Sequence, residues 1–223
     1  MELSYWQSRW RKGKTGFHMD SVYPGLVDQW SKIPAGSQST VLVPLCGKSL
    51  DMAWLASRCK RVIGVETSEI AVQTFFSEQN LDPTTKTLGR FKIYSAGNIT
   101  LWCGDFFHLP PSIMEGVTIV YDKAAIVALP PVKRASYRKK LTELTGNSVP
   151  ILLHHFEYDP SEMNGPPFAV PPSEVIERFG LEYEIVELLK NPLDINIYKK
   201  FRKRGLQSFF IEYLSLLLPK NHN

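Results

Sequence analysis

The chain has 223 residues, of which 43% are hydrophobic, 12% aromatic and 22% charged, with a net charge of +4. That composition supports a buried core of one domain, argues against intrinsic disorder, and is too evenly charged for a protein that wraps nucleic acid. No apolar run reaches the ~20 residues needed to span a membrane, and the N-terminus, MELSYWQSRWRKGKTGFH, lacks the apolar stretch of a signal peptide. Three cysteines, Cys46, Cys59 and Cys103, cannot all pair and form no disulfide framework. A soluble, reduced, cytoplasmic protein is expected.

Taken in order, residues 1–20 are rich in aromatic and basic side chains, and 22–32 carry Val22, Leu26, Val27 and Trp30 at helical spacing. Residues 41–45 (VLVPL) are a short apolar run without alternation, the pattern of a strand buried on both faces. A turn, Cys46-Gly47-Lys48-Ser49, leads to a helix over 50–58. Residues 61–66 form a second strand ending in Glu66, and Ser68 caps a helix over 68–79. A hairpin is expected from 91–94 and 99–103, a buried strand over 117–122, and a helix over 131–144 with Pro near its start. A strand over 150–156 precedes a proline-rich loop over 157–172. A short helix over 173–179 follows, and 181–189 and 208–217 suit an antiparallel edge pair. Strands alternate with helices from residue 41 to 180, which implies a doubly wound, mainly parallel sheet. No composition break divides the chain, so residues 1–223 read as a single domain.

In such a sheet, ligands bind beyond the carboxyl ends of the strands. Three cofactor readings compete at the first turn. Gly47-Lys48-Ser49 matches the tail of a P-loop, but the glycine required five residues earlier is Leu42, inside the strand. A dinucleotide turn needs several glycines for close approach of a pyrophosphate, and only Gly47 is present. S-adenosylmethionine has no pyrophosphate, so one glycine suffices. Glu66, nineteen residues after Gly47, could accept from both ribose hydroxyls; such an acid is expected about twenty residues on. An ordinary turn glycine and a surface glutamate fit the same residues equally well. At a further strand end, Asp105 could accept from an adenine amino group while Phe106 packs on the ring; a plain turn cap is the alternative.

Elsewhere the structural readings prevail. His154 and His155 are adjacent on a strand and point to opposite faces, so they share no metal. Cys46 and Cys103 read as small buried residues. Lys133, Arg134, Arg138, Lys139 and Lys140 read as a solvated helix face, and no aromatic platform for nucleic acid is interleaved with them.

Several stretches resemble the thiopurine S-methyltransferase family, particularly its bacterial members. They are WQSRWRKGKTGFH (6–18), VLVPLCGKSLDMAWLA (41–56), VIGVETSEIAVQTFF (62–76), ITLWCGDFF (99–107), YDKAAIVALPP (121–131), EYDPSEMNGPPF (157–168) and RKRGLQSFF (202–210). They span nearly the whole chain in the family's order, and VPLCGKSLDM with GPPF is far more specific than a Rossmann-type glycine pattern.

The resemblance implies a class I S-adenosylmethionine-dependent methyltransferase fold, a seven-stranded sheet with an antiparallel last strand. It implies S-adenosylmethionine as methyl donor, S-adenosylhomocysteine as product, and no metal. Trp10, Leu45, Glu66, Asp105 and Phe106 would line the donor site beside Gly47. Residues 1–33 would form a helical lid over it, with Phe17 a member and Trp6 a further candidate. Lys123 stands where the family usually has Arg and would lie near donor and acceptor, as a further donor-site residue; it keeps the charge without the planar fork and is the candidate for stabilising an acceptor anion. Phe17, Phe168 and Arg202 would serve the acceptor, in an aromatic pocket made by the lid, the proline-rich loop and the C-terminal segment. No general base is assigned. The expected activity is S-methylation of thiopurine-like aromatic and heterocyclic thiols by a monomer, with selenium or tellurium oxyanions as a second acceptor class and no nucleic-acid or membrane partner. The alternatives are an RNA or protein methyltransferase, or a non-catalytic donor-binding module.

Overall fold

The computed structural model describes residues 3–220. Residues 1–2 of the expected lid and 221–223 of the expected single domain lie outside the described residues. The chain divides into two compact units, Met1–Tyr121 and Asp122–Asn223, with the boundary inside a strand.

The first unit begins with helix α1 (Leu3–Arg11) and helix α2 (Pro24–Gln29), the latter prolonged by a single 3₁₀ turn, Trp30–Lys32. Strand β1 (Thr40–Val43) is buried at every residue, as its unbroken apolar run requires. After helix α3 (Asp51–Ala56) comes β2 (Arg61–Glu66), buried from Val62 to Glu66. Helix α4 (Glu69–Glu78) opens where the Ser68 hydroxyl accepts from the Ala71 N–H, and it buries Ala71, Val72, Phe75 and Phe76 along one stripe. Strands β3 (Thr84–Leu88), β4 (Phe91–Ala96), β5 (Ile99–Cys103) and β6 (Ile119–Lys123) follow.

The strand order in this unit is β3-β4-β5-β2-β1-β6. β2 lies parallel to β1 and β5, and β1 parallel to β6, in register Val41↔Val62, Val62↔Ile99 and Val41↔Ile119. Together they carry the expected doubly wound pattern. Gly64 in β2 is a close-packing position. A β-carbon there would lie 2.5 Å from the Leu101 side chain and 2.7 Å from Cys46 Sγ.

The second unit contains helix α5 (Pro131–Thr145), strand β7 (Ile151–Glu157), helix α6 (Pro172–Phe179), strand β8 (Tyr183–Pro192), the short helix α7 (Lys199–Arg202) and strand β9 (Ile211–Pro219). β9 runs antiparallel to both β7 and β8 in the order β7-β9-β8. The last strand is therefore antiparallel, as expected. It lies between two strands, however, and its Tyr213–Leu217 stretch is buried, so the edge of the pair is β8 alone. Nine strands are present among the described residues, against the seven that the resemblance implies. The strand over 91–94 is among those expected; the unforeseen one is the outer strand β3, antiparallel to β4, which is fully exposed, Thr-rich and gave no apolar signal.

One expectation for α5 is overturned. Arg134 and Lys140 are 1% and 7% exposed and Arg138 is half-buried, so of the basic cluster only Lys133 and Lys139 face solvent. The helical period puts Arg134, Tyr137, Leu141 and Leu144 on the core stripe. The Arg134 guanidinium is accommodated there because it donates to the Leu129 carbonyl at 3.1 Å and pairs with Glu174. Helix α5 ends on Gly146, whose φ of +57° lets its N–H reach the Thr142 carbonyl.

Asp122 is fully buried and accepts from the Ala125 N–H at 3.0 Å, the Ile126 N–H at 3.1 Å and the Tyr137 hydroxyl at 2.7 Å. Burial pushes its carboxyl up to about 6 against the pull of these donors. Tyr137→Phe removes one donor from a buried acid, so a loss of about 1–3 kcal/mol in urea unfolding is expected; a variant as stable as the parent would show that this bond contributes nothing.

Candidate active site

The turn after β1 reverses sharply. Leu45 has φ +47° and Gly47 φ +55°, both in the left-handed region that a side chain disfavours. The Cys46 N–H donates to the Val65 carbonyl at 2.9 Å, which lays the turn along the end of β2. At that end Glu66 is 5% exposed. One of its oxygens accepts the Gly47 N–H at 2.9 Å and the other the Ser68 N–H at 2.7 Å. The carboxylate thus holds the β1 turn and the start of α4 together. Burial raises its pKa to about 7, opposed by the N–H groups of Ser68, Gly47 and Thr67.

Trp10, on the last turn of α1, is 7% exposed. A β-carbon on Gly47 would lie 3.3 Å from its ring, so the indole covers the glycine closely. Phe17 meets the Trp10 ring edge-to-face at 5.5 Å and the Trp6 ring at 5.4 Å. The aromatic residues of the amino-terminal segment therefore form one connected group against the turn. Next to β2, the Gly104 N–H donates to the Glu66 carbonyl at 2.9 Å, placing Asp105 and Phe106 at the same strand ends. Asp105 caps a 3₁₀ turn through the Phe107 N–H at 3.0 Å and meets His108 Nδ1 at 3.0 Å. Phe106 is 1% exposed, its ring in the core.

The first unit thus gathers Trp10, Phe17, Leu45, Gly47, Glu66, Asp105 and Phe106. The remaining expected residues belong to the second. Lys123 ends β6, directly before Ala124 at φ +65°. Phe168 donates its N–H to the Val127 carbonyl at 2.7 Å, and its ring covers Gly165, where a β-carbon would come within 2.4 Å. Arg202 is exposed and donates to Asn196 at 2.8 Å. It is Arg204, which sequence reasoning did not single out, that donates to the Pro166 carbonyl at 2.8 Å and to the Asn164 carbonyl of the proline-rich loop. The signal available was the following glycine. Gly205 has φ +112°, and a β-carbon there would lie 2.2 Å from the Glu162 carbonyl oxygen, a contact that marks the close approach of the two segments.

The two histidines take separate partners. His154 meets Glu212 at 2.8 Å, and His155 lies between the Val170 carbonyl and the Ser215 hydroxyl. Among the described residues no group of three or more His, Cys, Asp or Glu could hold a metal ion. No helix among them is long and apolar enough to cross a membrane.

A carboxylate has about four acceptor positions, and the backbone N–H groups of Gly47, Ser68 and Thr67 face Glu66. The remaining capacity suits a hydroxyl donor such as those of a ribose. These residues fit S-adenosylmethionine. The fold agrees. A SAM-dependent methyltransferase from Anabaena variabilis superposes with a TM-score of 0.67 at 15% identity, covering 98% of this chain and 95% of that one. A Burkholderia thailandensis 1,6-didemethyltoxoflavin-N1-methyltransferase, solved with S-adenosylhomocysteine bound, gives 0.61 at 13% identity, covering 97% of this chain and 87% of that one. The fold is that of the S-adenosylmethionine-dependent methyltransferases.

The family model for thiopurine S-methyltransferase matches residues 1–216. A thiopurine S-methyltransferase of Pseudomonas fluorescens is 46% identical over 185 residues, 83% of this chain and 85% of that protein. One from Marinobacter nauticus is 39% identical over 221 residues, 99% of this chain and 100% of that protein. The chain belongs to the thiopurine S-methyltransferase family, and it is a methyltransferase enzyme whose methyl donor is S-adenosylmethionine.

A pH dependence follows from Glu66. Its carboxyl titrates near 7, and a diol donates better to the ionised form, so ligand binding draws the proton off. Affinity for S-adenosylhomocysteine, measured by calorimetry, should be greatest above pH 7 and fall by up to about tenfold per unit below it. In Glu66→Gln affinity should be lower throughout and flat with pH over this range. A variant that kept the parent's slope would assign the titration to another group.

Proposed function

We propose that the chain is a single-domain, monomeric, cytoplasmic S-methyltransferase of thiopurine-like aromatic and heterocyclic thiols, and that selenium and tellurium oxyanions form a second acceptor class. The observation that carries the donor half is the buried Glu66 carboxylate, bonded to the Gly47 and Ser68 N–H groups with acceptor capacity to spare. When bound, S-adenosylmethionine supplies an already activated methyl group on a sulfonium. The protein's tasks are then orientation and exclusion of water.

In this reading Glu66 grips the ribose hydroxyls, and Gly47 and Leu45 bring the backbone of the turn beside the nucleoside. Asp105 accepts from the adenine amino group, and the backbone of Phe106 borders it. Trp10 and Phe17 keep water from the turn. From the second unit, Lys123, Phe168 and Arg202 are the proposed acceptor-side residues. Lys123 serves the reaction by favouring the thiolate, the nucleophilic form, through its positive charge. No general base is required for a thiol that ionises readily, and no metal takes part. Small neutral or anionic acceptors, not nucleic acid, are the proposed partners. An RNA acceptor would instead betray itself by activity falling steeply with salt.

The test is donor-dependent methylation across aromatic thiols, selenite and tellurite. Thiols should be turned over with weak salt dependence. With a thiol acceptor, Lys123→Met should move the rise of kcat/KM with pH upward by about 1 unit or more, since a nearby cation lowers an acid's pKa by about 1–3. An unmoved profile would remove Lys123 from anion stabilisation, and inactivity on every thiol would remove the acceptor class.

A further inference from the structure

Asp51 belongs to none of the site residues above, yet it is 1% exposed at the first position of α3. One carboxylate oxygen accepts the Tyr23 backbone N–H at 2.8 Å, and the other the Tyr121 hydroxyl of β6 at 2.9 Å. A carboxylate buried this deeply is tolerated only with such donors. Tyr23 is the residue before α2 and is 3% exposed. Its ring folds back over Gly25, where a β-carbon would lie 2.6 Å from it. The chain therefore turns a fixed corner at 23–25, and Asp51 ties that corner to the sheet.

The position of this tie matters. The segment before the corner carries Trp6, Trp10 and Phe17, whose rings contact one another. Trp10 covers Gly47, which lies four residues before Asp51 on the turn that leads into α3. The amino-terminal segment is thus held to the Gly47–Asp51 stretch at two points, by aromatic packing at the glycine end and by charge-assisted hydrogen bonding at the aspartate end. Only the second fixes the root from which the aromatic group is suspended.

We propose that Asp51 is a positioning residue of the donor site, which by anchoring Tyr23 seats the aromatic amino-terminal segment over Gly47 and Glu66. This rests on the donor-site reading of Glu66. Asp51 acts on no reacting atom. It sets how much of the time Trp10 occupies its seat, and through that the affinity for the donor and its product.

Asp51→Asn keeps the size but presents one acceptor oxygen to two donors. In the ligand-free full-length protein, backbone hydrogen exchange over residues 3–23 should accelerate by about tenfold or more while β1 and β2 keep their protection. Affinity for S-adenosylhomocysteine, by calorimetry, should fall by about tenfold, and the loss should be shared with that of Trp10→Ala, because coupled residues are not additive. The KM for the donor should rise more than kcat falls. Unchanged exchange over 3–23, or losses that simply multiply in the double variant, would overturn the inference. The milder Tyr121→Phe, which frees only the far oxygen, should show the same exchange change to a smaller extent, and no change there would equally count against it. Failure of the parent protein to bind S-adenosylhomocysteine would contradict the donor site itself, whereas exchange in the ligand-free protein judges Asp51 alone.

Discussion

A single buried carboxylate organises the site. Glu66 sits at the end of β2 with the Gly47 N–H on one oxygen and the Ser68 N–H on the other. Those two bonds stitch the turn after β1 to the helix after β2, across neighbouring parallel strands. The arrangement depends on the absence of side-chain bulk at Gly47 and Gly64, where the Trp10 ring and the Cys46 sulfur come close. It also depends on backbone donors alone, which lets the acid keep capacity for a ligand.

Asp122 makes the contrast. It too is buried at a strand end, and its carboxyl is likewise raised, to about 6. Its oxygens, however, meet two backbone N–H groups and the Tyr137 hydroxyl, all from the protein. Burial alone therefore does not distinguish a structural acid from a ligand-binding one. What sets Glu66 apart is that its donors are all backbone N–H groups, whereas a core tyrosine hydroxyl closes over Asp122.

Much of the fold was legible in the sequence because two periodicities were strong. The unbroken apolar runs of β1 and β2 marked buried parallel strands, and Ser68 marked the start of α4 with a cap that the structure contains. The outer strand β3 left no such trace because it is exposed along its whole length. The buried guanidinium of Arg134 was misread because charge outweighs helical phase in a reading by residue type, while its partners Leu129 and Glu174 are set by tertiary packing. At the site, Gly47 and Glu66 followed from turn chemistry and spacing. Trp10, Leu45 and Lys123 came only from family resemblance. Asp51 left no sequence signal, because its partners, Tyr23 and Tyr121, lie 28 and 70 residues away. Arg204 was masked by the neighbouring basic residues, which share its charge but not its contact with the proline-rich loop.

The central claim, that Glu66 holds a ribose diol, is tested most directly with an analogue of S-adenosylhomocysteine lacking both ribose hydroxyls. In the parent protein, removing the hydroxyls should weaken calorimetric affinity by roughly 1.5–3 kcal/mol for each charge-assisted bond lost. In Glu66→Ala the natural ligand and the analogue should bind within a few-fold of each other, because the partner of the hydroxyls is gone. If the hydroxyls contribute as much to binding in the variant as in the parent, the sugar is held elsewhere and the account fails.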